Sequence, residues 1–320
     1  MPRRSAIALA TAGALASTGT AYLGARSLLV GQATHARTII PKAWDIPPRA
    51  DGVYVRGGGP VERWHRGMAV DQHLMIFGDS TATGYGCMSA DEVPGVLIAR
   101  GLAEQTGKRI RLSTKAIVGA TSKGVCGQVD AMFVAGPPPD IAVIMVGAND
   151  VTALNGISQS AQRLGLTVRK LRARGAVVIV GTCPDLGFIS AIPQPLRSIA
   201  HERCLQLARA QTAAVRSAGG VPVPLAQLMA PQFRATPDVM FSADGFHPSA
   251  PAYALAADAL LLALCDALGE EVQRPPLTPA VPAAAPVLGQ GHTRTSVMSR
   301  LWRRPTLGPA PSSCPEVGSD

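Results

Sequence analysis

The sequence contains few aromatic and few charged residues, which make up 4% and 16% of the chain. There are 30 Lys or Arg and 21 Asp or Glu, giving a net charge of +9, and several of the arginines lie in the terminal segments. A nucleic-acid-binding surface needs basic residues clustered on one element, interleaved aromatic residues, or a recognisable binding signature. Aromatic residues are few and no such signature is present, so we expect no nucleic-acid partner.

The six cysteines are scattered, without a Cys-x-x-Cys pair or a His/Cys cluster at zinc-ligand spacing. The sequence therefore predicts no metal site. No organic cofactor is expected either. Cys87 and Cys126 are the preferred disulfide pair, because both follow segments expected to end at the same edge of a sheet. Buried free thiols remain the alternative, since pairing cannot be deduced from sequence.

Residues 1–34 are predicted to be an export signal or a retained membrane anchor. Basic residues at Arg3 and Arg4 precede an uncharged, Ala-rich stretch over residues 5–25, which is typical of an export signal. The stretch is also close to the roughly 20 residues that span a bilayer. A soluble helix is disfavoured because the stretch has little polar face. We expect an exported protein, secreted or held in the cell envelope, with membrane association if this segment is retained.

The rest of the chain divides into three predicted regions. Residues 35–71 are a Pro- and Gly-containing lead-in, residues 72–269 alternate between apolar runs and helical patterns, and residues 270–320 are rich in proline. The last region cannot bury enough surface to offset its ordering entropy, so it is predicted to be a flexible tail. The oligomeric state is left open.

Short apolar runs alternating with helices of ten or more residues indicate a parallel sheet covered on both faces. Continuous apolar runs lie at 74–77, 141–146 and 176–180, residues 109–116 alternate like a strand, and a weaker strand is predicted at 221–225. The predicted helices lie at 93–105, 158–174, 196–218 and 251–268. The predicted fold class is α/β, a three-layer α/β/α sandwich with a mainly parallel central sheet. Ligands of such sheets bind beyond the carboxyl ends of the strands.

Reactive residue types follow several of these runs. Ser80 comes directly after the first run, and Asp244 and His247 lie just before the last helix. A serine hydroxyl becomes a strong nucleophile when a histidine removes its proton and a carboxylate orients that histidine. The sequence therefore predicts that Ser80, His247 and Asp244 form a catalytic triad.

Donors for a developing oxyanion are also expected at the strand ends. Gly119 can bring its backbone N–H close because it lacks a Cβ atom, Asn149 carries an amide, and the N–H of Ser80 begins a helix. Such donors often give the largest catalytic contribution, about 3–4 kcal/mol each. Asp79 and Asp150 are interpreted as structural carboxylates that bond loop backbone.

These four segments resemble the SGNH hydrolase superfamily of GDSL-type lipases and esterases. The resemblance covers residues 72–268 and depends on Gly78-Asp79-Ser80, Gly119, Gly147-x-Asn149-Asp150 and Asp244-x-x-His247-Pro248. It implies an SGNH or flavodoxin-like fold, with Ser80, Asp244 and His247 as the triad and Ser80, Gly119 and Asn149 as the oxyanion hole. Thr81 departs from the leucine that many members have after the serine, which bears on substrate choice.

The expected function is cleavage of short- to medium-chain acyl esters, small molecules or lipids, through an acyl-serine intermediate. Deacetylation of envelope carbohydrate, transfer of the acyl group to an acceptor other than water, and a non-catalytic binding role remain alternatives. Specificity is expected from the loops at 81–88, 151–157 and 184–196. The sequence has no strongly apolar lid with helical periodicity, which disfavours an interfacial lipase.

Overall fold

The architecture is known from a computed structural model that describes residues 23–36, 38 and 46–270. Most of the predicted signal or anchor, part of the lead-in and nearly all of the predicted tail lie outside the described residues. A helix, α1, is described over residues 23–36. Gln32 of this helix accepts a hydrogen bond from the N–H of Leu196, 3.1 Å away.

The rest of the described chain contains six strands and nine further α-helices. The strands are β1 Gly52–Tyr54, β2 Gln72–Gly78, β3 Ile110–Thr114, β4 Ile141–Met145, β5 Val177–Gly181 and β6 Val221–Val223. The α-helices are α2 Ser80–Thr83, α3 Pro94–Thr106, α4 Ser122–Ala135, α5 Ala148–Thr152, α6 Ile157–Arg172, α7 Leu196–Ser217, α8 Leu225–Ala235, α9 Pro237–Met240 and α10 Ala250–Leu268.

The strands form one sheet in the order β1-β3-β2-β4-β5-β6. Strand β1 is antiparallel to β3, and every other neighbouring pair is parallel. The chain passes from β2 to β3 on one side and then to β4 on the other, so the strand order reverses at the carboxyl end of β2. This is the position at which open α/β sheets bind their ligands. Ser80 follows β2 there.

Alternate residues of the central strands enter two cores, one on each face of the sheet. Leu74 and Ile76 of β2 pack with α3 and α10 on one face. Met75 and Phe77 pack with α4 and α6 on the other. Burial of both faces is the reason these strands read as continuous apolar runs, and the predicted three-layer α/β fold is confirmed.

Helix α10 is, in the described part of the chain, the one helix long and apolar enough to cross a membrane by length and composition. Its residues Tyr253, Leu260 and Leu264 are buried against the sheet in the first of these cores. That packing accounts for the apolar sequence of the helix.

The predicted Cys87–Cys126 disulfide is wrong, because the five described cysteines are unpaired. Cys87 lies in the core shared with α3 and α10. Cys126 lies on α4, where its thiol contacts Thr167 of α6 at 2.9 Å. The sheet separates these two positions, although both residues follow strands that end at the same edge.

Candidate functional site

The three residues of the predicted triad meet at the carboxyl edge of the sheet. Ser80 is the first residue of α2, and Asp244 and His247 lie on the turn between α9 and α10. Nε2 of His247 is 3.1 Å from Oγ of Ser80, and Nδ1 of His247 is 2.6 Å from Oδ2 of Asp244. With Nδ1–H donating to the carboxylate, Nε2 is left as the acceptor that faces the serine hydroxyl.

The second carboxylate oxygen of Asp244 holds the turn together. Its Oδ1 atom accepts hydrogen bonds from the hydroxyl of Ser242 and from the N–H groups of Phe246 and His247, each at 2.8 Å. Gly245 completes the turn with a φ of +64°, a conformation that glycine adopts without steric cost. Burial opposes ionisation of Asp244, but the hydrogen bonds from His247, Phe246 and Ser242 outweigh it and hold its pKa below the usual range.

Two aromatic rings hold the imidazole of His247, which is 5% exposed. The Tyr85 ring lies 4.3 Å from it between centroids, and the Phe246 ring meets it edge-on at 5.0 Å. The carbonyl of Tyr85 in turn accepts a hydrogen bond of 2.7 Å from the hydroxyl of Tyr253 on α10. Sequence reasoning missed these contacts, because nothing in the position of Tyr85 relates it to a histidine so distant in the chain.

The backbone in front of Ser80 is fixed by Gly78 and Gln128. Gly78 has a φ of +141°, and a Cβ atom there would lie 2.0 Å from the carbonyl oxygen of Met145, so no other residue fits without a backbone shift. The buried amide of Gln128 accepts from the N–H of Gly78 at 2.9 Å and donates to its carbonyl at 2.8 Å. Gln128 was also missed by sequence reasoning.

Asp79 and Asp150 each accept a hydrogen bond from a backbone N–H, of Thr81 and of Ser122 respectively, as expected of structural carboxylates. Asp79 caps α2 by accepting from the N–H and the hydroxyl of Thr81 at 2.9 and 2.6 Å. Burial raises the pKa of Asp79, although the hydrogen bonds from Thr81 oppose the shift. Asp150 accepts from the N–H and hydroxyl of Ser122, and from the side chains of Asn155 and Ser160.

Two of the three predicted oxyanion donors are on residues that line one pocket, and the third lies beside it. Ser80 and Asn149 both line this pocket with His247. The Asn149 amide donates one of its two N–H groups to the carbonyl of Ala120 at 3.1 Å. Gly119 does not line the pocket; it occupies the adjoining turn with a φ of +81° and open space where a Cβ would stand. At this position glycine is favoured by its backbone conformation and not by close packing.

The pocket beside Ser80, here called the apolar pocket, has a volume of about 70 Å³. Its walls are mainly apolar side chains from α8, from the loop before α7 and from the turn that carries Asp244 and His247. These are Leu186, Phe188, Ile189, Leu225, Met229, Phe233, Phe241 and Phe246. Of the three predicted specificity loops, 184–196 contributes five residues, 81–88 contributes Thr81, and 151–157 contributes none. The arrangement can hold a small apolar group next to the serine hydroxyl.

Within the described ranges, no group of three or more His, Cys, Asp or Glu side chains is placed to hold a metal ion. Two histidines outside the triad have partners of their own. His73 bonds Ser113 at 2.9 Å in the interior, and His201 bonds the carboxylate of Asp185.

The chain is similar to known proteins over much of its length. Residues 76–255 match the sequence model of the GDSL-like Lipase/Acylhydrolase family. A GDSL-like esterase of Mycobacterium tuberculosis is 78% identical over 306 residues, which cover 95% of this chain and 97% of the relative.

Two solved structures share the fold. The crystal structure of TesA superposes with a TM-score of 0.50 at 23% identity, covering 61% of this chain and 99% of that chain. An acetyl-xylooligosaccharide esterase from Geobacillus stearothermophilus, solved as a mutant, gives a TM-score of 0.50 at 18% identity, covering 64% and 98% of the two chains.

Proposed function

This chain belongs to the GDSL-like lipase/acylhydrolase family, and on that premise we propose that it is a serine carboxylic-ester hydrolase that acts through an acyl-serine intermediate. The observation that carries the proposal is the hydrogen-bonded chain from Ser80 Oγ through both nitrogens of His247 to Asp244. Such a chain activates a serine hydroxyl that would otherwise be a weak nucleophile.

The proposed reaction begins when Ser80 Oγ attacks the ester carbonyl carbon and its proton passes to Nε2 of His247. Asp244, kept ionised by its own hydrogen bonds, stabilises the imidazolium that forms. His247 then donates the proton to the departing alkoxide as the carbon–oxygen bond breaks. Water attacks the acyl-enzyme in the second half, His247 takes a proton from the water, and Ser80 recovers that proton as the acid is released.

In the first intermediate the carbonyl oxygen carries a negative charge that needs hydrogen-bond donors. The N–H of Ser80 is the first in α2, so it has no acceptor within the helix. The amide of Asn149 retains a second N–H beyond the one given to Ala120. We propose these two groups and the N–H of Gly119 as the oxyanion donors.

The apolar pocket supports a short acyl group as the substrate. Its volume of about 70 Å³ is far below the roughly 300–1,000 Å³ of pockets that take drug-sized ligands. Acetyl and butyryl esters are therefore preferred to long-chain esters. A pocket of this size also suits acetyl groups borne on carbohydrate. Comparing the release of acetate from an acetylated polysaccharide with its release from simple esters distinguishes a carbohydrate deacetylase from a simple esterase.

The test of the proposed function is hydrolysis of 4-nitrophenyl acetate and butyrate by the wild type, by Ser80→Ala and by the control Ser217→Ala. Ser217 is an exposed serine at the end of α7. We expect Ser80→Ala to lower kcat/KM at least about a thousandfold and Ser217→Ala to leave it unchanged. Equal rates in all three proteins would remove the triad assignment, and rates no higher than the uncatalysed background in all three would favour a binding protein on the same fold.

We also propose that the protein is exported, from the pattern of residues 1–34. Expression of the full chain in an actinobacterial or other bacterial host, followed by fractionation and N-terminal sequencing, tests this proposal. Recovery outside the cytoplasm supports it, and cleavage within residues 1–34 distinguishes a signal from an anchor. Recovery of the intact chain in the cytoplasm alone contradicts it.

A further inference from the structure

A second and larger cavity lies next to the apolar pocket. It has a volume of about 700 Å³ and runs between α7 and α8, within the range typical of ligand sites. Arg209 and Arg216 of α7 and Arg234 of α8 line it. The two residues of α7 are seven positions apart and so lie on the same helix face. We call this cavity the arginine groove.

The three guanidinium groups of the groove have no carboxylate partner among the described residues. Arg234 lies over the ring of Phe188, with 5.6 Å between its guanidinium carbon and the ring centroid, and its charge is left uncompensated. Two arginines outside the groove do pair with carboxylates, Arg100 with Asp91 at 2.6 Å and Arg109 with Glu62 at 3.5 Å. The groove therefore concentrates positive charge in a concave site.

The one acidic residue that lines the groove does not neutralise these arginines. Asp185 is bound to Nδ1 of His201 at 2.8 Å and to the N–H of Gly187 at 2.7 Å, and its side chain is 5% exposed. Asp185 therefore bonds none of the three arginines. The charge that faces the groove is accordingly that of Arg209, Arg216 and Arg234.

The groove adjoins the apolar pocket. Asp185, Ala226 and Ala230 line both cavities. Phe188 lines the apolar pocket, and the guanidinium group of Arg234, which lines the arginine groove, lies over its ring. A single substrate can therefore contact both cavities, with its acyl group beside Ser80 and an anionic group toward the arginines.

We propose that the arginine groove binds a phosphate group on the alcohol part of the ester substrate. Guanidinium groups match phosphate oxygens in charge and in paired hydrogen-bond geometry. This inference rests on the proposed function, because the apolar pocket and Ser80 supply the other half of the binding site. It assigns the substrate to the class of phosphorylated short-chain esters.

The test compares two esters that differ in one phosphate, 1-butyryl-glycerol 3-phosphate and 1-butyryl-glycerol. We expect the double variant R209Q/R216Q to lower kcat/KM for the phosphate ester about tenfold or more, and to leave the neutral ester within about twofold. The matched control Arg169→Gln removes an exposed arginine of α6 and should change neither. Added salt should reduce the wild-type preference for the phosphate ester, because screening weakens exposed charge interactions.

Equal losses for both esters, or no loss for either, would overturn the proposal. A second measurement separates it from the proposed function: calorimetric titration of glycerol 3-phosphate into Ser80→Ala protein, which needs no turnover. Binding that weakens in the Ser80→Ala protein carrying R209Q/R216Q, and not in the one carrying Arg169→Gln, supports the groove even if neither ester is hydrolysed. Absence of binding, or binding that the arginine variants leave unchanged, contradicts it.

Discussion

The contact between Gln128 and Gly78 allows a quantitative prediction about how the nucleophile is held in place. Replacing Gln128 by methionine keeps a side chain of similar length but removes both hydrogen bonds to Gly78. The carbonyl of Gly78 retains a second bond, from the N–H of Ile117 at 3.1 Å. The N–H of Gly78 is left buried without its acceptor, which costs about 1–3 kcal/mol.

With the second lost bond included, Gln128→Met should lower the free energy of unfolding by about 2–3 kcal/mol. For a domain of this size that corresponds to a fall in Tm of roughly 5–10 °C. The variant should also lower kcat for 4-nitrophenyl butyrate about tenfold, since a shift of about 1 Å in a reacting group is enough to slow catalysis strongly.

Denaturant unfolding and steady-state kinetics of the same preparations measure both effects. Gln206→Met is the matched control, because Gln206 is an exposed residue of α7, and its replacement should change stability by less than about 0.5 kcal/mol. If Gln128→Met is as stable and as active as this control, the two hydrogen bonds do not position Ser80 and the reasoning is refuted.

Three further predictions concern His73, Asp244 and Asn149. Burial, with smaller contributions from Arg111 and Lys115, lowers the pKa of His73 from 6.5 to about 4. As pH falls, the unfolded chain therefore binds a proton at His73 before the folded protein does. The wild type should lose up to about 3 kcal/mol of stability between pH 6.5 and pH 4. Unfolding titrations of His73→Gln should lack that part of the loss, and an identical pH dependence would contradict the assignment. Asp244→Asn should lower kcat about 10³- to 10⁴-fold by removing the carboxylate that orients His247, and a loss under tenfold in steady-state assays would argue against it. Asn149→Ala should lower kcat about 10²- to 10³-fold with little change in KM, whereas a change in KM alone would indicate a role in substrate binding.

The central strands could be predicted from the sequence because both of their faces are buried. β2, β4 and β5 consist almost wholly of buried residues, so their apolar runs stand out without any knowledge of their neighbours. Two helices of more than ten residues, α4 and α8, were missed, as were the short helices α5 and α9. α4 contains Gly124 and Gly127, which weaken its helical pattern, and α8 contains Pro231 and begins inside the weakly predicted last strand.

The site was predictable where its residues lie next to strand ends or close together in the chain. Ser80 follows β2 directly, and Asp244 and His247 share one turn, so local sequence order carries the information. Gln128 is distant in sequence from Gly78, and Tyr85 is distant in sequence from His247, so their contacts depend on how α4 and the loop after α2 pack. The part of the apolar pocket that α8 supplies was missed for the same reason, whereas the part supplied by the loop at 184–196 was predicted.

The most direct test of the account is covalent labelling of the nucleophile with a fluorophosphonate. Mass spectrometry of the digested wild type should find one adduct, on the peptide that contains Ser80, and Ser80→Ala should gain none under the same conditions. His247→Ala should label far more slowly, because its serine lacks the base that removes the proton. Equal labelling of wild type and Ser80→Ala, or an adduct on another residue, would contradict the claim that Ser80 is the activated nucleophile.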